Sequence, residues 1–171
     1  MKILTRLIII SLVLGLASWV LIQVPSVQDR ILVAAFSAIG SASNNLPKED
    51  ALSAAVCGSR SPLPSPGRAE TCLLIAAGDD LFVVDIGDGS NDNLRSWNIN
   101  FRNIKAVLIT HLHSDHIADL PGLHQNAWVV GQRSSKLKVF GPEGIEQLTQ
   151  GVEMAYAHDY VFRNEHHGDE V

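Results

Sequence analysis

Between a strongly apolar run and a helical one the chain reads Thr110-His111-Leu112-His113-Ser114-Asp115-His116, with three imidazoles and one carboxylate inside six residues. The run before it, Ala106 to Thr110 (AVLIT), has the unbroken apolar character of a strand covered on both faces. Leu120 to Val130 behind it reads as a helix. A strand passing through a polar turn into a helix is the β–α step of α/β folds, whose sites lie beyond the carboxyl ends of the strands. With Leu112 between them, His111 and His113 in extended chain turn to one side. Asp115 and His116 follow as the helix begins, within reach of a second point a few ångströms away. Nitrogen and carboxylate donors without thiolates suit Zn²⁺, with Mn²⁺ or Fe²⁺ as alternatives. The competing reading makes these residues helix caps or ordinary loop side chains.

The rest of the chain agrees with an α/β order. Ala51 to Cys57, Thr71 to Ala77 and Leu81 to Ile86 read as strands, with Gly78-Asp79-Asp80 a tight hairpin turn between the last two. Gly58 to Arg68 (GSRSPLPSPGR) is a loop, because its three prolines remove ladder donors. It lacks the Lys-Ser/Thr of a phosphate loop and is expected to border the metal cleft. Asn91 to Asn98 reads as a helix, Leu137 to Phe140 as a strand and Gly144 to Tyr156 as a helix. Strands first, then alternation, indicate an α/β sandwich rather than a bundle.

Composition narrows the function classes. The 171 residues hold 13 Lys plus Arg against 18 Asp plus Glu, a net charge of −5, and no basic block. That is not the electrostatic footprint of a general nucleic-acid binder. Seven histidines stand against two cysteines, which excludes a Cys-rich zinc site and a disulfide-dense scaffold.

Leu7 to Val24 (LIIISLVLGLASWVLIQV) carries no charge over 18 residues, enough for a helix of about 27 Å. Lys2 and Arg6 precede it, so the positive-inside rule leaves the amino terminus in the cytoplasm and exports everything after Pro25. Residues 1–24 are therefore expected to form a transmembrane anchor, or a cleaved signal peptide in the alternative reading. Residues 25–50 are expected to form a linker. Within them Ile31 to Ile39 is an interfacial helix or a continuation of the anchor, and Gly40 to Asn45 is flexible, closed by Pro47. Residues 51–171 would be the exported domain, on the bacterial periplasmic or extracellular side.

At the His111–His116 segment the sequence resembles the metallo-β-lactamase-fold hydrolases, whose hallmark is this HxHxDH pattern on a loop after a strand. CGSRSPLPSPGRAETCLLI, LFVVDIGDG, ITHLHSDHIADLPGL and VFGPEGI, in that order, look like the branch containing ribonuclease Z and the arylsulfatase-like hydrolases. The resemblance covers roughly Val56 to Gly168. It implies an αββα sandwich and two zinc ions per complete domain. It makes His111 and His113 ligands of one metal and Asp115 and His116 ligands of the second, with Asp115 also a catalytic proton shuttle. Asp85 matches the family's strand-end Asp, a residue that orients ligands. The other reading of Asp85 is an acceptor of turn N–H groups before Gly87. The implied reaction is attack by a metal-bound hydroxide on a phospho-, sulfo- or carboxyl-ester. The alternatives are a ribonuclease Z-like tRNA 3′-processing endonuclease and a catalytically incomplete metal-binding fragment. The expected partners are a small-molecule or ester substrate and the membrane, with a homodimer compatible and nucleic acid not expected.

The family's third metal His, its bridging Asp and its final His belong to a second αβ half, for which Asp115 to Val171 leaves too little room. The chain is therefore expected to be the amino-terminal half of the domain, truncated and inactive alone, with Asn164 to Val171 closing on no element. His166 and His167 lie about 100° apart on a helix, so at most one faces a site, and a structural or rim role is expected. His158, His124 and Asp119 are read as helix-surface or cap residues. Cys57 and Cys72 fall on neighbouring expected strands, where either a disulfide closing a loop of about 15 residues or two buried thiols would fit.

Overall fold

A computed structural model describes residues 2–40 and 51–167, and the chain divides into two units, Met1–Ile39 and Gly40–Val171. In the first unit, helix α1 (Lys2–Ile22) is followed by a turn at Gln23 and Val24 and by helix α2 (Pro25–Gly40). Proline fits the first turn of a helix, where its missing N–H has no partner to lose, so Pro25 starts a new helix instead of extending the old one. The expected 18-residue span is thereby shortened at its far end. Among the described residues no single helix is long and apolar enough to cross a membrane. Ile10–Ile22 and Pro25–Ile31 pass together by length and composition, bent by 88°. The expected linker from 41 to 50 lies outside the described residues.

The second unit is built on one five-stranded sheet: β1 (Leu52–Gly58), β2 (Cys72–Ala77), β3 (Asp80–Val84), β4 (Ile104–Leu108) and β5 (Val139–Phe140), adjacent in that order. The first two junctions are antiparallel and the last two parallel. β2 and β3 join through the two residues Gly78 and Asp79, and Gly78 adopts φ +59°, which its lack of a Cβ permits. The parallel step from β3 to β4 needs a crossover, which helix α3 (Ser90–Ser96) and a 3₁₀ turn at Phe101–Asn103 supply. β4 leads through the histidine loop into α4 (Ser114–Ile117), α5 (Leu120–Gln125) and a π-helical turn at Asn126–Val130 before β5. Helices α6 (Ile145–Ala155) and α7 (Ala157–His167) follow.

The strand register sorts the side chains into two faces. Ala55, Leu74, Val83, Val107 and Val139 are cross-strand neighbours in one row, and Leu74, Val83 and Val107 from it sit in the core with Leu94, Phe101, Leu123, Ala127 and Ile145 from the helical segments. The next row, Val56, Leu73, Val84, Leu108 and Phe140, faces the other way, with Val56 63% and Phe140 56% exposed. The expectation that AVLIT is covered on both faces is corrected here. β4 ends at Leu108, and Leu108 faces no layer among the described residues; an apolar residue on a strand records what a face needs, not what covers it.

Other boundaries also differ from the sequence reading. The helix expected over Leu120 to Val130 changes from α to π hydrogen bonding at Asn126, because apolar spacing cannot tell the two apart. The strand expected from Leu137 pairs only at Val139 and Phe140. Asn164 to His167, expected to close on no element, belong to α7, and the residues beyond lie outside the described ones. Cys57 and Cys72 form a disulfide between β1 and β2, their Cα atoms 4.9 Å apart and both residues buried, so the two-thiol alternative does not hold.

Candidate metal centre

The histidine loop leaves the carboxyl end of β4 beside the carboxyl end of the parallel strand β3. Asp85, the residue after β3, is buried and has φ +56°, a left-handed conformation that Asp tolerates better than most side chains. Its amide N–H donates to the Leu108 carbonyl across the junction, at 3.0 Å. The Asp85 carboxylate is thereby aimed at the loop. Oδ1 accepts the Thr110 amide N–H at 2.8 Å and Oδ2 the Thr110 hydroxyl at 2.8 Å. Of the two readings of Asp85, the contacts are with the loop and not with turn N–H groups before Gly87.

Thr110, which the sequence reading passed over, carries the arrangement further. Its Oγ1 lies 3.1 Å from His111 Nδ1. Since the hydroxyl proton is spent on Asp85, Oγ1 can only accept from the ring, which puts the proton of neutral His111 on Nδ1 and leaves Nε2 as a lone pair. That Nε2 stands 3.1 Å from His113 Nδ1. Two nitrogens bound to one tetrahedral zinc at 2.0–2.1 Å stand about 3.3 Å apart, so the pair already has the spacing of one edge of such a shell.

Asp115 and His116 sit in the first turn of α4, Asp115 buried and His116 largely so. His116 Nε2 is 3.6 Å from Asp115 Oδ2, and the His116 ring lies against His111 with centroids 3.9 Å apart. His116 Nδ1 approaches Asp85 Oδ2 to 2.8 Å without hydrogen-bond alignment, and is buried with no hydrogen-bond partner among the described residues. The donors thus form two pairs, His111 with His113 and Asp115 with His116. Among the described residues no three His, Cys, Asp or Glu side chains converge on one point. In kind and spacing the donors fit a divalent transition ion, whereas in number each pair falls one short of the three protein ligands of a catalytic zinc site.

The backbone behind the loop is tied to the β3 end. The Ile86 amide donates to the His116 carbonyl at 2.8 Å, and the Asp119 amide to the Ile86 carbonyl at 3.0 Å. The Asp119 carboxylate accepts the Asn91 amide N–H at 3.0 Å, capping the first turn of α3 from another element. Burial raises its pKa above the ordinary carboxylate value, the neighbouring Asp88 and Asp92 adding to the effect against the Asn91 bond. Gly87 lies where a Cβ would overlap the Asp115 carbonyl oxygen, so the loop passes over it at backbone distance.

The remaining candidates stand elsewhere. The 58–68 loop borders the 88–93 segment, through the Arg60–Asp88 ion pair at 3.2 Å. His124 lies on α5 in a separate cleft, and burial holds its pKa below 6.5. His158 is exposed on α7. His166 and His167 end α7, and their side chains lie outside the described residues.

Comparison with known proteins places this arrangement in a family. The model of the metallo-beta-lactamase superfamily matches residues 65–170. Ribonuclease Z of Mycobacterium bovis is 36% identical over 114 residues, which cover 66% of this chain and 41% of the relative. The metallo-beta-lactamase fold protein YhfI from Bacillus subtilis shares 30% identity at a TM-score of 0.50, covering 58% of this chain and 40% of that one. The short form of human tRNase Z shares the fold at 23% identity and a TM-score of 0.55, over 61% of this chain and 40% of its own. The chain spans about 41% of the length of the curated relatives it matches.

Proposed function

Because this chain belongs to the metallo-β-lactamase superfamily, we propose that it carries the amino-terminal ligand loop of a metal-dependent hydrolase acting on a phospho-, sulfo- or carboxyl-ester. The observation that supports this best is the chain of contacts from Asp85 through Thr110 to His111, which leaves His111 Nε2 bare and 3.1 Å from His113 Nδ1. His111 and His113 would hold one ion and Asp115 and His116 a second, with Zn²⁺ the first expectation and Mn²⁺ or Fe²⁺ the alternatives. Such an ion, when bound, supplies Lewis acidity toward the scissile group and lowers the pKa of water. Asp115, whose Oδ2 lies 3.6 Å from His116 Nε2, would hold and pass on a proton, while Asp85 would stay off the reacting atoms and keep the loop in register through its bond from the Thr110 amide.

Residues 7–24 are proposed to hold the chain at a membrane, with residues 25–50 as the linker and the domain from residue 51 on the exported side. In its own unit α1 leaves Leu12, Leu14, Leu16 and Trp19 more than half exposed, a surface costly in water and at home in lipid. The buried Cys57–Cys72 disulfide fits an oxidising compartment. A reporter fused at Asn45 tests the topology, and a cytoplasmic reading would overturn it.

A ribonuclease Z-like activity on tRNA precursors is the second reading, favoured by the names of the relatives. The net charge of −5 and the disulfide weigh against a cytoplasmic polyanion as substrate. The test compares hydrolysis of bis(p-nitrophenyl) phosphate, p-nitrophenyl sulfate, p-nitrophenyl acetate and a precursor tRNA by the protein whose reading frame contains this chain. Ester turnover lost in His111→Ala and His113→Ala upholds the first reading, and tRNA cleavage alone the second. No turnover with retained zinc leaves a metal-binding protein that is catalytically incomplete.

A further inference from the structure

We propose that a cleft on the helical side of the domain, apart from the histidine loop, binds a small aromatic carboxylate. The cleft encloses about 460 Å³, within the range of roughly 300–1,000 Å³ usual for small-ligand sites, and none of Asp85, His111, His113, Asp115 or His116 lines it. One wall is the π-helical turn with Ala127 and Trp128, the floor is Leu137, and the opposite wall is one face of α7, with Ala157, Tyr160 and Asn164 at helical spacing.

Charge sets the sign of the occupant. The lining holds two cations, Arg133 and Lys136, against one carboxylate, Glu153. Glu153 is taken up by Lys136. Arg133 has no anionic partner among the described residues: Nε donates to the Ser135 carbonyl and Nη1 to those of Arg102 and Ile104, while no acceptor engages Nη2. Three carbonyls therefore hold the guanidinium in place without neutralising it, and a guanidinium so fixed is the donor best suited to a carboxylate. Asp159, on α7 outside the lining, is held by Gln125 and Arg163. The excess of positive charge reaches the imidazole of the cleft. Burial keeps the His124 pKa below 6.5, Glu153 opposes this, and Lys136 and Arg133 both add to it.

Three rings supply the aromatic part of the match. Trp128 meets Tyr160 edge to face, with centroids 5.5 Å apart and planes at 86°, and His124 meets the same ring at 5.7 Å and 83°. Edge-to-face contacts leave ring faces free for a further flat group to stack upon. The Trp128 indole N–H can only donate, and burial raises the Tyr160 pKa, so that hydroxyl keeps a proton to donate as well. Donors from Arg133, Trp128 and Tyr160 are answered by the acceptors of a carboxylate. Because the cleft opens to solvent, the carboxylate keeps part of its hydration at Arg133 while the ring leaves water in the corner.

Nicotinate, nicotinamide, 1-methylnicotinamide and acetate test this. Each is titrated into the full chain in uncharged detergent, and the indole N–H resonances of Trp19, Trp97 and Trp128 are followed. Nicotinate should move the Trp128 resonance and leave Trp97, packed against the core, in place. It should bind roughly fivefold more tightly than the neutral and cationic analogues, and an equal concentration of acetate should not displace it. Two exposed charges should tune the affinity in opposite directions. Glu153→Gln frees Lys136 and should tighten nicotinate about threefold, whereas Lys136→Gln leaves Glu153 to offset Arg133 and should weaken it about threefold. Nicotinamide should bind alike in both variants. Ala157→Trp, at an exposed position of α7, should block nicotinate with the Trp97 resonance unchanged. A Trp128 resonance that stays still at saturating nicotinate, a neutral or cationic analogue that binds as tightly, displacement by acetate, or no tightening in Glu153→Gln would overturn the proposal.

Discussion

The Asp85 carboxylate holds Thr110 by two atoms at once, taking the amide N–H on one oxygen and the hydroxyl on the other, both at 2.8 Å. Asp85 directly follows one strand and Thr110 lies two residues past its parallel neighbour, so the pair stitches the two carboxyl ends together where the histidine loop departs. Its consequence reaches His111, which Asp85 does not bond: the orientation of the Thr110 hydroxyl fixes the tautomer of the ring.

Removing either member of that pair should loosen the ligands without dissolving the fold. Asp85→Asn and Thr110→Val are expected to weaken zinc or cobalt binding by about 10–100-fold, the usual effect of losing a group that orients a ligand. Thr110→Ser should bind as the wild type does. Competition against a chromophoric chelator measures this, and unchanged affinity in Thr110→Val would show that the hydroxyl does not govern His111.

Gly87 is expected to be intolerant of a side chain. In Gly87→Ala the added carbon overlaps the Asp115 carbonyl and the Glu70 side chain, so the loop must move. Strain of this kind costs about 1–3 kcal/mol, read from the urea midpoint. Metal affinity should fall as well, since the residue displaced is the one beside His116. An exposed control such as Gly15→Ala, where a Cβ meets nothing, should leave both quantities alone.

Cys57 and Cys72 stand 15 residues apart, and their disulfide shortens the unfolded chain's loops. Opening it by Cys57→Ser with Cys72→Ser should cost about 3 kcal/mol in the chain-entropy account. Parallel urea titrations of the oxidised wild type and the double variant give the difference directly, and coincident midpoints would remove the disulfide from the stability of the sheet.

Acidification should destabilise the domain through His124. Burial holds its folded pKa below the ordinary 6.5, so the unfolded chain binds the proton more readily. The contribution is complete above about pH 6.5 and is lost as pH falls through the folded value. Asp119 has the opposite sign: its raised pKa means that its contribution is largest below pH 3.8 and is lost as pH rises through the folded value. His124→Gln should therefore flatten the loss of Tm between pH 8 and 5.5, and an unaltered slope in that variant would assign it to other groups.

Much of the site was legible in the order of residues. HxHxDH after an apolar run marks a loop at a strand end, because three imidazoles and a carboxylate in six positions have few other uses. Leu112 between His111 and His113 predicts that the rings share a side, and their nitrogens meet at 3.1 Å. Thr110 was not legible. A threonine is a common strand residue, and only the approach of Asp85, 25 residues earlier, gives its hydroxyl a task. Asn91 and Asp119 are likewise an ordinary helix residue and an ordinary cap until α3 and α5 are brought side by side.

The sequence by itself determined the alternation of strands and helices, the apolar rows of the sheet and the place of the candidate metal ligands along the chain, since these follow from side-chain chemistry at spacings of a few residues. Only the tertiary structure decided which nitrogen of His111 is bare, which oxygen holds Thr110, and that Leu108 and Phe140 share an outer face with no layer upon it among the described residues. Those facts depend on contacts between positions far apart in the chain. Short-range spacing carries no information about such contacts until the backbone has folded.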